Sequence, residues 1–161
     1  MRTQKADPAE MRDKFWKAMA ESPFIMLQLD ADPDSAAPMT AQLDRNANHE
    51  IWFFVSRSSH LAPMGPATAT FTSKGHDTFA RFHGMLSEET SRERKDKEWS
   101  KLAEAWFPGG KNDPDLLMLH MKLGDATIWS KAELGMMGAA KMALGMDVRK
   151  EAVDTHVNTR L

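Results

Sequence analysis

The sequence predicts a mainly β fold with flanking helices, arranged as a small barrel or as a sandwich with added helices. Short apolar or alternating segments recur along the chain and are separated by turn residues, which is typical of both architectures. Helical patterns stand at the two ends of this array and once between its late strands. The pattern alone does not separate the barrel from the sandwich.

Bulk composition narrows the class of protein. A chain of 161 residues fits one domain of ordinary size, and we treat residues 1–161 as one domain. There is no cysteine, which excludes disulfides and thiolate metal sites and fits a reducing compartment. Residues 1–15 carry no long apolar run, so we expect no secretory signal and a cytoplasmic protein. The net charge of −2 gives no general attraction to nucleic acid or to an anionic membrane.

The first predicted element is a helix with a clear start and end. Asp7 is a suitable N-cap, Pro8 fits the first helical position, and Glu10 completes a capping box. Apolar residues then recur at helical spacing. The pair Ser22-Pro23 ends this helix, because the residue before a proline avoids the helical conformation.

The predicted strands are short segments rich in apolar, β-branched or alternating residues. The strongest is IWFFV at residues 51–55. Residues 30–34 are typical of a turn and residues 44–49 of a polar hairpin loop. The expected strands are 24–29, 39–43, 51–55, 67–72, 78–86, 116–122 and 126–129.

Two more helices are predicted in the second half of the chain. One helix is expected to begin at a capping box formed by Thr90 and Glu93 and to end at Pro108-Gly109-Gly110. One face of this helix carries an apolar stripe formed by Trp99, Leu102, Ala103 and Trp106. A last helix rich in Met, Ala and Gly is expected at 132–146, and the polar residues 147–161 are expected along the surface.

Two segments have the chemistry of a ligand site. Residues 55–60, VSRSSH, combine hydroxyls, backbone amides and two basic side chains, as phosphate recognition requires, although a polar turn or a helix N-cap explains this segment, taken alone, more simply. Residues 106–114, WFPGGKNDP, join two aromatic rings to a rigid turn and a lysine, which suits a planar heteroaromatic ligand or a helix end packed on the core. No histidine spacing predicts a metal site, and no GxSxG or GxGxxG motif is present.

Together these segments resemble the general-stress-protein branch of the pyridoxamine 5′-phosphate oxidase-like family. The matching pieces are PMTAQLD at 38–44, IWFFVSRSSH at 51–60 and AWFPGGKNDPDLLML at 105–119, of which the last is the most specific. The resemblance spans residues 10–130. It implies a six-stranded antiparallel split β-barrel and a homodimer with two flavin sites, for FMN or FAD, each shared by both subunits.

The resemblance also implies which residues contact the flavin. Residues 39–41 would pass the isoalloxazine ring, 54–56 would lie over the ring and the ribityl chain, and 59–60 would contact the phosphate. Two residues would lie near the ring, often from the partner subunit, and one more candidate lies on a later loop. The implied set is Met39, Thr40, Ala41, Phe54, Val55, Ser56, Ser59, His60, Lys74, Trp106 and Lys111.

The chain departs from the family pattern at three positions. Ala37, Val55 and Leu61 stand where the family has arginine, threonine and lysine, so each change removes a donor or a positive charge. Two or three such losses predict FMN binding weakened by roughly a hundredfold or more. Candidates for compensation are Arg57, Arg81 and Lys74.

Three functions are consistent with this reading. The first is flavin binding with NAD(P)H-linked oxidoreductase activity, in which the flavin carries the chemistry. The second is a split-barrel dimer that binds or sequesters a flavin without catalysis. The third is another planar cofactor, such as haem or a deazaflavin, in the same cleft, with His60, His76 or His83 as an axial ligand or a hydrogen-bond donor.

Overall fold

An antiparallel sheet dominates the computed structural model, which describes residues 6–130 and 156–161. Its strand order is β2-β1-β4-β5-β6-β3, and β7 pairs with β6 beside this path. The helices are α1 (Pro8–Glu21), α2 (Arg92–Glu98) and α3 (Lys101–Trp106), with a 3₁₀ turn at Gly110–Asn112. The strands are β1 (Phe24–Leu29), β2 (Asp32–Thr40), β3 (Glu50–Ser56), β4 (Gly65–Thr72), β5 (Thr78–Glu88), β6 (Leu116–Ser130) and β7 (His156–Arg160). The mainly β fold with flanking helices is therefore confirmed.

Helix α1 packs against the core face of the sheet. It begins as predicted, with Asp7 accepting a hydrogen bond from the Ala9 amide at 3.1 Å and Pro8 in the first turn. Its buried face centres on Phe15, whose ring meets those of Phe71 and Phe82 edge-on at 5.8 and 5.5 Å. These aromatic contacts join α1 to β4 and β5 in the main core.

Strand β2 differs from its prediction, which placed a turn at 30–34 and a strand at 39–43. The strand starts at Asp32 and ends at Thr40. The Ser35 hydroxyl closes the shorter turn, since it accepts from the Leu29 amide at 2.8 Å and donates to the Asp32 carbonyl at 2.6 Å. Because β2 lies at the edge of the sheet, Pro33 costs no ladder hydrogen bond there.

The single helix predicted after Thr90 is divided into α2 and α3. Ser91, not Thr90, caps α2 through the Arg94 amide, and Ser100 caps α3 through the Ala103 amide. Trp99 adopts an extended conformation between the two helices. The prediction was wrong because the Ser100 hydroxyl offers the backbone a new cap in the middle of the apolar stripe.

Two predicted strands, 116–122 and 126–129, form the single strand β6. The pairing of β6 with β5 shifts register between Phe82 and Gly84, which pair with Ala126 and Leu123. This bulge accommodates residues 123–125, which lie between the two predicted strands. Gly84 permits the close approach, because a Cβ there would lie 2.6 Å from the Lys122 carbonyl oxygen.

The C-terminal prediction is corrected in part. The predicted helix at 132–146 and residues 147–155 of the predicted tail lie outside the described residues. Residues 156–160 form β7 rather than a surface tail, with Val157 buried, and Leu161 after it is buried too. The Arg12 guanidinium donates to the Thr159 hydroxyl at 2.6 Å and so joins α1 to this strand. None of the helices in the described ranges is long and apolar enough to cross a membrane.

Candidate functional site

An open cleft of about 370 Å³ lies where the ends of β2 and β3 face helix α3. Its size falls in the range of small-ligand sites. Residues Pro38, Met39, Thr40, Gln42, Phe54, Val55, Ser56, Ser59, Leu102, Ala103, Trp106, Phe107 and Asp115 line it.

The strand wall of the cleft consists of Met39, Thr40, Phe54 and Val55. Main-chain hydrogen bonds between Gln42 and Trp52, at 2.8 and 3.1 Å, hold the segment that directly follows β2 beside β3, although β2 and β3 are not neighbours in the sheet. Phe53 behind this wall and Val55 within it both belong to the main buried core. The strand wall is therefore fixed by the packing of the sheet.

The helix wall consists of Leu102, Ala103, Trp106 and Phe107, on and after α3. Leu102 is 51% and Trp106 74% exposed, so this wall offers apolar and aromatic surface to solvent. Trp99, just before α3, meets the Phe54 ring edge-on at 5.4 Å and so joins the two walls. Exposed aromatic surface beside a concavity is typical of a binding site.

The polar end of the cleft consists of Ser56, Ser59 and Asp115. Pairing of Ser56 with Leu116 across β3 and β6 brings Asp115 next to Ser56, whose hydroxyl donates to its carboxylate at 2.8 Å. Asp115 is the one charged side chain among the described residues that line the cleft. A ligand chain with hydroxyl groups fits this end, since hydroxyls both donate to a carboxylate and accept from serines.

A buried polar cluster attaches α2 to the sheet next to the cleft. The Arg94 guanidinium lies over the Trp52 ring, 4.2 Å from its centroid, and donates to Asp44 at 2.5 Å and Glu98 at 3.2 Å. Hydrogen bonds from Lys97, the Asn46 amide and Arg94 hold the pKa of Asp44 well below its usual range. Burial raises the pKa of Glu98, against the opposing effect of Arg94.

The structure brings seven of the eleven predicted site residues together in the cleft, namely Met39, Thr40, Phe54, Val55, Ser56, Ser59 and Trp106. The other four lie elsewhere in the described subunit. Ala41 is buried and its amide binds the Pro23 carbonyl at 2.8 Å, while Lys111 pairs with Asp96 at 3.1 Å. His60 and Lys74 are exposed on turns. Their roles in ligand contact stay predictions.

Six lining residues lie outside the set that the resemblance implies, namely Pro38, Gln42, Leu102, Ala103, Phe107 and Asp115, and of these only Phe107 belongs to the aromatic pair that the sequence analysis proposed for a planar ligand. A signal existed for Leu102 and Ala103, since they precede Trp106 by four and three residues on one helix face. For Asp115 the signal is its place directly before a strand that pairs with β3.

The three departures from the family pattern have different surroundings. Val55 lines the cleft, Ala37 is half-buried on β2, and Leu61 is buried in the core. None of the candidates for compensation lines the cleft. Arg57 donates to the Pro114 carbonyl at 3.2 Å and to Glu88 at 3.4 Å, and Arg81 lies 5.9 Å from the Trp129 ring centroid.

The histidines considered as haem ligands are also outside the cleft. His60 and His76 are exposed, and His83 lines a second, polar cleft of about 410 Å³ with Asp125, Ala126, Thr127, Asn158 and Thr159. The described residues therefore give the aromatic cleft no histidine with which to hold a haem iron.

Comparison with known protein families identifies the class of protein to which this fold and cleft belong. The sequence profile of the pyridoxamine 5′-phosphate oxidase-like family matches residues 10–154, and the chain belongs to that family. None of the curated proteins matches the chain.

Solved structures specify the branch. A general stress family protein of Xanthomonas campestris pv. campestris is 42% identical, over 78% of this chain and 90% of that chain, with a TM-score of 0.70. The general stress FMN/FAD binding protein of Xanthomonas citri is 38% identical, over 76% and 89%, also with a TM-score of 0.70. General stress protein 26 of Jannaschia sp. CCS1 is 26% identical, over 96% and 100%, with a TM-score of 0.77.

These matches confirm the predicted general-stress-protein branch and the split-barrel fold. The sheet has seven strands within the described residues rather than the six expected, because β7 adds to β6.

Proposed function

We propose that the chain binds a flavin, with the tricyclic ring between the strand wall and the helix wall. The observation that carries this proposal is the cleft itself. Its walls include the rings of Phe54, Trp106 and Phe107, and its polar end includes two serines. A flat aromatic ring gains from stacking and apolar burial at the walls, and the ribityl hydroxyls match the polar end. A similar protein, that of Xanthomonas citri, is named for FMN/FAD binding, which supports the same ligand class here.

The residues of this chain would then act by binding and orientation. Trp106 would cover one face of the ring, Thr40 and Gln42 would hydrogen-bond its polar edge, and Ser56 would contact the ribityl chain. A bound flavin supplies hydride and electron transfer, while the protein contributes position and electrostatics.

The binding test is a titration of purified protein with riboflavin and with FMN, followed by quenching of flavin fluorescence. We expect saturable binding to the wild type and at least about tenfold weaker binding to Trp106→Ala, equivalent to about 1.4 kcal/mol. Trp129→Ala is the matched control, because Trp129 lies on β6 outside the cleft. No saturable quenching with either flavin, or equal losses in both variants, would contradict the proposal.

We also propose that two copies of the chain meet beside the cleft and close it. Phe24 and Met26 on β1 are 59% and 45% exposed, and they pair across to Thr40 and Pro38, which line the cleft. The apolar surface of the helix wall lies on the other side of the same cleft. A second copy would remove this surface from water, which is the usual driving force for a homodimer.

Sedimentation velocity tests the dimer. We expect a dimer for the wild type, a monomer with weaker flavin binding for Met26→Asp, and a dimer for Met85→Asp. Met85 is a matched control, because it is also exposed but pairs with Pro66 at the far end of β4. A monomeric wild type would refute this part of the proposal.

A binding role has more support than a catalytic one. Asp115 is the one titratable side chain among the described residues that line the cleft, and it already accepts from Ser56. Oxidation of NAD(P)H by the flavin-loaded protein is the test of the catalytic alternative. Turnover in the presence of common electron acceptors would establish that alternative, and its absence is the result we expect.

A further inference from the structure

We infer that Arg94 is a positioning residue, which holds the helix wall of the cleft against the strand wall and so sets the affinity for a planar ligand. The inference rests on the proposed function, because a flavin is the probe. Arg94 does not line the cleft. Helices α2 and α3 are hereafter called the helical arm (residues 92–106). Arg94 lies on α2 and makes contacts that attach this arm to the sheet.

The first contact of Arg94 is with the outer face of β3. Its guanidinium stacks on Trp52 at 4.2 Å, and the Trp52 indole N–H donates to Glu89 at 3.0 Å, which fixes the ring. Trp52 and Phe54 are alternate residues of one strand and therefore face the same side. Since Trp99 packs on Phe54 at 5.4 Å, the helical arm contacts two successive outward residues of β3, one of which lines the cleft.

The second contact of Arg94 is with the loop between β2 and β3. Asp44 accepts from Arg94 at 2.5 Å and from Lys97 at 2.7 Å, and its side chain is almost completely shielded from solvent. Gln42, two residues earlier, lines the cleft and shares its two main-chain hydrogen bonds with Trp52. One guanidinium therefore touches the sheet, the loop and, through Glu98, the helical arm itself.

Arginine suits this position better than lysine does. A planar guanidinium donates hydrogen bonds from its edge while its face stacks on an aromatic ring, whereas an ammonium group acts as a compact point charge. Two other cations make ion pairs with or within the helical arm. Lys97 shares Asp44 with Arg94, but its side chain is 52% exposed against 24% for Arg94, and the pair of Lys111 with Asp96 is exposed on both sides. Arg94 is the most shielded of these three cations, so we expect the position of the helix wall to depend on it most.

The test is a double-mutant cycle read by riboflavin affinity. We expect Arg94→Met to lower affinity about tenfold and Arg94→Lys to lower it less, because lysine restores the charge alone. In the Trp106→Ala background, Arg94→Met should change affinity by less than about twofold, since the wall it positions has lost its ring. Arg92→Met is the matched control, because Arg92 is an exposed arginine of the same helix, with a 3.5 Å contact to Asn112.

Hydrogen exchange of the unliganded protein gives a second readout that needs no ligand. Faster exchange of the α3 amides in Arg94→Met, with unchanged exchange in β5 and in the Arg92→Met control, is the expected result. Should Arg94→Met fail to fold, Arg94→Lys and Asp44→Asn take its place in both experiments.

Three results would overturn the inference. These are wild-type affinity in Arg94→Met, the same fold loss with and without Trp106, and unchanged exchange of α3. A wild type that binds no flavin would refute the proposed function, while the exchange experiment would still decide whether Arg94 holds the helical arm.

Discussion

The two walls of the cleft are held in place by different kinds of interaction. The strand wall is the outer surface of a packed sheet, with Phe53 completely buried behind it. The helix wall belongs to a short helix whose Leu102 and Trp106 remain largely exposed, and it is attached through a polar cluster on α2. Apolar burial thus fixes the strand side of the site, whereas the helix side depends on hydrogen-bonded charges together with a smaller apolar contact, that of Trp99 with Phe54.

The largest expected effect comes from the strand wall. Phe53→Ala should lower the free energy of unfolding by about 3–5 kcal/mol, because it removes a fully buried ring from the core. Leu102→Ala on the helix wall should cost less than about 1 kcal/mol, since half of its surface is already in water. Urea denaturation of both variants measures the difference, and similar losses would show that the two walls are equally well packed.

The sequence predicted the apolar strand side of the molecule better than the polar contacts of the helical arm. Strand β1 and the core of β3 were predicted because alternation and apolar runs report burial directly. The break at Ser100 and the pairing of Asp44 with Arg94, fifty residues apart, were not predicted, because they depend on tertiary contacts between polar groups. Strand β7 was missed for a similar reason, since its only buried residue, Val157, leaves no alternating pattern.

A smaller effect is expected where the two walls meet. Trp99→Ala should lower the free energy of unfolding by about 1–2 kcal/mol, because the half-buried indole loses its edge contact with Phe54. Trp106→Ala should change it by less than about 0.5 kcal/mol, since its ring is mostly solvated in the subunit. Thermal and urea unfolding of both variants, at a concentration that keeps the same oligomeric state, would test this order. The reverse order would mean that Trp106 and not Trp99 joins the walls.

A third prediction concerns the polar end, which belongs to the strand side of the cleft. Asp115→Asn should raise affinity for FMN relative to riboflavin by about tenfold, because a carboxylate repels the phosphate of FMN and not the uncharged riboflavin. Asp125→Asn makes the same change in net charge at a residue of the second cleft and should leave the ratio unchanged. An unchanged ratio in Asp115→Asn would place the phosphate away from this end of the cleft.

The smallest effect is expected in the pH dependence of the helical arm. Burial raises the pKa of Glu98 above 4.5, so the folded protein binds more protons than the unfolded chain between these two pKa values. The free energy of unfolding therefore falls as pH rises from about 4.5 through the folded pKa, and Glu98→Gln should lack this fall. Glu93→Gln, on the exposed side of the same helix, should keep it. Asp44 acts in the opposite direction at lower pH: its pKa is lowered, so its contribution is complete only about one pH unit above 3.8 and is lost as pH falls from there toward the folded pKa. Because Asp44 is present in both proteins, the difference between wild type and Glu98→Gln in urea denaturation from pH 4 upward isolates Glu98. A wild type whose stability rises across this range relative to Glu98→Gln would show that the Arg94 contact outweighs burial.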